Sequence, residues 1–165
     1  MHKLSLFNKS FVRAKMDPLS KFRKELLHRQ KKDMHLKYFN DDPHRQHMKV
    51  PIFSKLSTKK QIIPFRNLDC LKPACIYDVE DLVEKYKASH MSSLHGFICH
   101  SCSTFVEMQK FCLDYTLRKM IEHIWEKYNK TDKIICDGVI IKRDGQWEPQ
   151  LPEYLSEYNF SFKKN

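Results

Sequence analysis

The sequence predicts a small α+β domain, and three patterns carry that expectation. Cys70, Cys75, Cys99 and Cys102 fall among short extended and turning stretches, and a Cys-x-x-Cys knuckle turns both sulfurs toward one point, as a tetrahedral metal ion requires. Two stretches, 78–86 and 114–128, repeat apolar residues at the spacing of one helical face. A third, 133–149, is rich in β-forming residues around Asp144-Gly145, a two-residue hairpin turn.

Composition limits the possibilities. A chain of 165 residues suits one modest domain plus a tail, and 41% hydrophobic with 12% aromatic residues argues against wholesale disorder. Charge is uneven: residues 1–66 hold 17 Lys and Arg against 5 Asp and Glu, whereas residues 67–165 hold 13 against 15. A basic arm on a near-neutral domain points to a polyanion, whether nucleic acid, an acidic protein surface or a membrane face; the plainer alternative is a solvated leader. Six cysteines accompany a start, Met1-His2-Lys3-Leu4-Ser5-Leu6-Phe7, that lacks the apolar core of a secretory signal. The expected compartment is reducing, where clustered cysteines read as metal ligands before disulfides. No run approaches the roughly twenty apolar residues of a membrane span, so the chain is expected to be soluble, with no membrane partner.

Taken in order, residues 17–31 read as a basic amphipathic helix. Asp17 caps it, Pro18 fits its first turn, and Leu19, Phe22, Leu26 and Leu27 share a face. Such a helix can dock on the domain, lie against a polyanion or stay disordered. His28, His35, His44 and His47 match no recognised metal spacing. Residues 59–64 form an extended run entering Pro64, which disfavours helix before it. A polar turn then joins Cys70 to Cys75. Asp78 caps a helix with Val79, Leu82, Val83 and Tyr86 on its buried face; residues 87–93 loosen, and 94–98 form a second strand running into the Cys99 knuckle. Asp114 caps the longest helix, whose stripe of Leu117, Met120, Ile121, Ile124 and Tyr128, with Trp125 beside it, ends near Asn129. Cys112 and Cys136 are expected in the core. The competing reading of all these cysteines is a cluster of small buried side chains.

Residues 50–121 resemble the SP-RING (MIZ-type) zinc finger of the PIAS/Siz SUMO ligases. The resemblance runs through Ser54-Lys55-Leu56, Ile63-Pro64-Phe65-Arg66, Cys70, Cys75, Phe97-Ile98-Cys99-His100-Ser101-Cys102 and Phe111-Cys112-Leu113-Asp114. It continues in Lys142-Arg143-Asp144-Gly145-Gln146-Trp147-Glu148-Pro149, so it covers about residues 50–149. It implies a small RING-like fold around a single zinc ion, with a C-terminal helix and a β-hairpin. It further implies a ligase without a nucleophile of its own, which docks the SUMO-conjugating enzyme and orients its thioester-linked SUMO toward substrate lysines. The zinc cysteines would be structural, not catalytic thiols.

Departures from the family are equally specific. The family's histidine ligand falls on Lys72, whose ammonium has no lone pair to donate. Cys70, Cys99 and Cys102 remain, with Cys75 or His95 as the fourth ligand, or no metal at all. The family's docking positions fall on Leu56, Phe97 and His100, and Ser54-Lys55 replaces Cys-Pro. Val139-Ile140-Ile141 has the look of a SUMO-interacting strand, although ordinary hairpins carry such runs too. The expected organisation is a basic arm, partly helical or disordered, over residues 1–49; the finger and its helix over 50–128; a hairpin over 129–149; and a tail over 150–165. The resemblance implies a nuclear SUMO ligase. The alternative is a non-catalytic adaptor whose degenerate finger and basic arm bind nucleic acid or an acidic partner.

Overall fold

Asp17 starts the first helix as its chemistry dictates: its carboxylate accepts the Ser20 N–H at 3.0 Å, and Pro18 occupies the first turn, where no N–H is needed. The computed structural model of the protein describes residues 17–40, 42–52, 62–70, 72–91, 95–128 and 136–151. Helix α1 (Pro18–His28) buries Phe22 and Leu26. It packs on α3 (Val79–Met91), where the Phe22 and Tyr86 rings stack with centroids 3.9 Å apart. Arg23 reaches Glu80 across the same contact.

After α1 the chain forms β1 (Gln30–Lys31), a short α2 (His35–Asn40) and β2 (His47–Pro51). Strand β1 lies parallel to β6 (Phe111–Asp114), which also pairs antiparallel with β3 (Phe65–Asn67), giving the order β1-β6-β3. Strand β2 pairs antiparallel with β7 (Gly138–Lys142), which pairs with β8 (Trp147–Gln150) across the Asp144-Gly145 turn. Gly145 has φ +83°, which an L side chain rarely adopts. Residues 17–40 and 42–49, expected as a basic arm, thus supply two helices and parts of both three-stranded sheets. Arg143 ties them down by donating to the Phe39 and Asp42 carbonyls at 2.7 and 2.9 Å.

Several local expectations shift. Of the run expected over 59–64, residues 59–61 lie outside the described residues. Pro64, with no N–H to offer, joins the pairing through its carbonyl alone, which accepts the Asp114 N–H at 2.9 Å, and β3 begins at Phe65, whose N–H and carbonyl both bond Tyr77. The stretch expected to loosen after Lys87 stays helical to Met91. Asp78 receives the Ile63 N–H at 2.8 Å and so anchors the entry to β3. Helix α4 (Tyr115–Lys127) is capped by Asp114 as expected and matches α3 in length at 13 residues. Strand β7 is the middle strand of its sheet, so Val139-Ile140-Ile141 has no free edge for another chain.

Two apolar cores result. One packs α4, through Leu117, Met120, Ile121 and Ile124, on β2 and β7 with Val50, Val139 and Ile141; each such side chain contributes about 1.5–3 kcal/mol on burial. The other gathers Phe22, Leu26, Phe65, Tyr77, Leu82, Val106, Phe111 and Leu113 around three cysteines. A buried ion pair links β3 to the start of α4: Arg66 Nε donates to Asp114 Oδ2 at 2.8 Å, with both side chains almost fully buried. Among the described residues no helix is long and apolar enough to cross a membrane.

Candidate metal centre

Three turns deliver four cysteines to one point. Strand β3 ends in a turn in which Asn67 Oδ1 accepts the Asp69 N–H at 3.0 Å and its amide donates to the Glu107 carbonyl at 2.8 Å, which fixes the bend that presents Cys70. A second turn, closed by Cys75 N–H to the Lys72 carbonyl at 2.9 Å, presents Cys75. Arg66 holds that same carbonyl at 3.3 Å. The third follows β4 (Gly96–Ile98) and leads into β5 (Phe105–Glu107). In it Cys99 N–H bonds the Thr104 carbonyl and Ser103 N–H the Cys99 carbonyl, with Ser103 at φ +58°. Ser101 Oγ donates to the Ala74 carbonyl at 3.1 Å, tying the second turn to the third. Gly96 is required here: a Cβ at this position would run into the Val106 carbonyl oxygen.

The four sulfurs lie within 4.8 Å of one another. Cys70 Sγ is 2.9 Å from Cys102 Sγ and 3.9 Å from Cys99 Sγ, and Cys99 Sγ is 3.5 Å from Cys75 Sγ. Tetrahedral coordination with metal–sulfur bonds of about 2.3 Å sets sulfurs roughly 3.8 Å apart, so the donor set fits one ion after small adjustments. Cys70, Cys75 and Cys99 are buried and Cys102 is partly exposed. Cys70, Cys99, Cys102 and Cys75 thus form a group able to hold a metal ion. Lys72, in the family's histidine position, is exposed. His95 is exposed too; it lines the cleft with Phe22, Glu25 and Tyr86 and stands outside the sulfur cluster.

The surroundings oppose ionisation of the two inner thiols. Burial, and then the neighbouring sulfurs, push Cys70 far up; burial likewise pushes Cys75 up to about 12, against a hydrogen bond with Cys70 that lowers it and together with one to Cys99 that raises it. For Cys102 burial also acts upward, but hydrogen bonds from Cys70 and Thr104 outweigh it and bring the thiol down to about 6. In a metal-free fold, neutral Cys70 and Cys75 would therefore give stability that is lost as pH rises past the unfolded thiol value of about 8.5, whereas ionised Cys102 would give stability that is lost as pH falls from that value toward about 6. With metal bound all four sulfurs follow the Cys102 sign, because coordination requires thiolates and acid competes for them. Thermal melts across pH are expected to show loaded protein weakening below about pH 6, where acid competes for the thiolates, and no such step in chelated protein, in which this core is already open. Identical profiles for the two would contradict a metal at these sulfurs.

Tyr77 was not singled out by sequence pattern, yet its hydroxyl donates to Cys99 Sγ at 3.1 Å. Burial, and then this bond, raise its own ionisation well beyond the usual phenol range, so it stays a donor. The residues expected at the docking face take different positions. Leu56 lies outside the described residues. Phe97 is half-buried, stacked on Phe111 at 5.7 Å and edge-on to Tyr77 at 5.4 Å. His100 is exposed on the knuckle with its ring edge-on to Tyr77 at 4.9 Å. Two further residues share this hairpin. Ile98 and Phe105, 60% and 46% exposed, are cross-strand partners in β4 and β5. Strand alternation is the signal for them, since turning Phe97 inward turns Ile98 outward.

No protein-family model matches the chain, and no curated protein sequence does. Solved structures do match. The crystal structure of the S. cerevisiae SUMO E3 ligase SIZ2 superposes with TM-score 0.59 at 13% identity, covering 80% of this chain and 46% of that one. That of SIZ1 gives 0.59 at 12%, covering 82% and 45%. This chain shares the Siz fold. It spans less than half the length of each Siz chain. Residues 50–165 alone are too few to make up 80% of the chain, so the Siz match draws on part of the N-terminal stretch as well.

Proposed function

We propose that the protein is a SUMO ligase-like scaffold that binds one zinc ion through Cys70, Cys75, Cys99 and Cys102 and docks a SUMO-conjugating enzyme on the β4–β5 hairpin and its knuckle. Four convergent sulfurs beneath a hairpin with an exposed apolar pair support this most directly. Zinc suits an all-thiolate tetrahedral set. As a closed structural site, it would supply cross-linking and hold two loops at a fixed separation. No nucleophile is needed: the rate gain would come from fixing a thioester-linked SUMO against a substrate lysine, an effect of orientation.

Ile98, Phe105 and His100 would form the described part of the docking surface, with Phe97 supporting it from beneath; Leu56 is the further docking position that the resemblance implies. Single-turnover discharge of SUMO from the conjugating enzyme tests this. Zinc-loaded protein is expected to accelerate discharge, and Ile98→Ala with Phe105→Ala to weaken docking roughly tenfold or more, the usual scale for losing two central apolar contacts. Leu56→Ala is expected to cost more than deletion of residues 1–16. No acceleration by loaded protein would contradict the proposal. Nuclear localisation belongs to the same reading, and imaging of the tagged full chain tests it. Nucleic acid, the other partner expected of the basic stretch, gains little support, because Arg23 pairs with Glu80, Arg45 with Asp42, and Arg29 donates to the Gln109 carbonyl.

A further inference from the structure

One buried side chain touches both the sulfur cluster and the outward face of the knuckle. Tyr77 is 1% exposed. Its main-chain N–H and carbonyl both pair with Phe65, at 3.1 and 2.8 Å, so the residue is held to β3 and its ring has a fixed origin. From there the hydroxyl reaches Cys99 Sγ at 3.1 Å. The ring stands edge-on to His100 at 4.9 Å and to Phe97 and Phe111 at 5.4 Å each. Cys99 and His100 are consecutive. One side chain therefore holds a ligand sulfur and the neighbouring surface ring on either side of a single peptide bond.

Four thiolates around a divalent ion leave a net charge of −2 in a largely buried site. A hydrogen-bond donor to one sulfur withdraws electron density from it and fixes its orientation; loss of such a partner typically lowers metal affinity 10–100-fold. Edge-to-face ring contacts prefer defined geometries, so displacement of Tyr77 displaces the His100 ring as well.

We propose that Tyr77 is a positioning residue that couples the metal centre to the docking face, its hydroxyl tuning the Cys99 sulfur and its ring setting the posture of His100 and Phe97. The coupling rests on the metal and docking roles proposed above, and its test separates the two. Tyr77→Phe keeps the ring and removes the hydroxyl; Tyr77→Leu keeps burial and removes both contacts. With Co2+ as the probe and the full chain, the sulfur-to-cobalt charge-transfer band of Tyr77→Phe is expected at lower energy than in the wild type, since an unbonded thiolate is the better donor. Co2+ affinity is expected to fall about tenfold or more. Exchange of zinc for cadmium in the loaded protein changes the metal–sulfur bonds while keeping the site folded; it is expected to move the His100 imidazole NMR signals in the wild type and to leave them in place in Tyr77→Leu, whose folding is checked by its amide spectrum. An unchanged band and affinity in Tyr77→Phe would overturn the tuning role. Equal His100 responses in wild type and Tyr77→Leu would overturn the coupling; should Tyr77→Leu not fold, an unaltered His100 response in Tyr77→Phe would do so. If the wild type fails to bind the conjugating enzyme while the band and His100 still respond, the ligase-like reading falls and the Tyr77 coupling stands.

Discussion

Stripping the metal with a strong chelator is expected to melt one core and spare the other. Cys70, Cys75 and Cys99 belong to the cluster built on Phe65, Tyr77, Phe111 and Leu113, whereas the core beneath α4 contains none of the four ligands. Structural zinc contributes on the order of 10–16 kcal/mol in small domains, as much as the whole stability of an ordinary domain. Without the ion, four thiols and a left-handed Ser103 are held only by apolar contacts and turn hydrogen bonds. Hydrogen exchange is therefore expected to show lost protection in β3, β4, β5 and α3, and retained protection in β7, β8 and the middle of α4. Restored protection on adding zinc completes the expectation. Uniform protection with and without chelator would count against a structural ion.

Arg66→Ala is expected to cost about 3–5 kcal/mol, because it strands a buried Asp114 carboxylate without its partner. Asp114→Ala is expected to cost at least as much, for it also removes the acceptor of the Leu117 N–H at the start of α4, an N-cap contribution of about 1 kcal/mol. Arg66 also holds the Lys72 carbonyl in the turn that presents Cys75, so its loss is expected to loosen metal binding. Denaturant melts of zinc-loaded protein measure the first effect, and chelator competition measures the second. The double variant Arg66→Met with Asp114→Leu is expected to recover much of the stability, since a packed apolar pair replaces two desolvated charges. A loss below about 1 kcal/mol in either single variant would show that the pair is hydrated in solution.

Much of this was legible in the residues, for identifiable reasons. Asp17, Pro18 and Asp114 announce helix starts because capping chemistry is local, and both carboxylates cap as expected. The Leu117 to Ile124 stripe and the Asp144-Gly145 turn are equally local. The sequence ranks Cys75 ahead of His95 and of no metal at all but does not decide among them, because the choice depends on the path of the turn from 72 to 75. That path follows from the Phe65–Tyr77 bridge and from Arg66, contacts that no spacing encodes. The pairing of β1 with β6 and of β2 with β7 joins residues far apart in sequence. A basic composition therefore read as an arm where the chain in fact supplies strands. Tyr77 is not legible in the sequence, because a tyrosine two positions after a cysteine resembles any core aromatic until its hydroxyl is placed against Cys99. Ile98 and Phe105 become a surface pair only through the register of β4 on β5, which sets them opposite each other on the face away from Phe97 and which no local spacing encodes.

Metal analysis of the full chain purified without chelator tests the central claim most directly, run together with Cys75→Ser and His95→Ala. The account predicts one zinc per wild-type chain, the same in His95→Ala, and a large loss in Cys75→Ser. Metal-free wild type that takes up no zinc when offered it, or a Cys75→Ser protein that retains a full equivalent while His95→Ala does not, would contradict it.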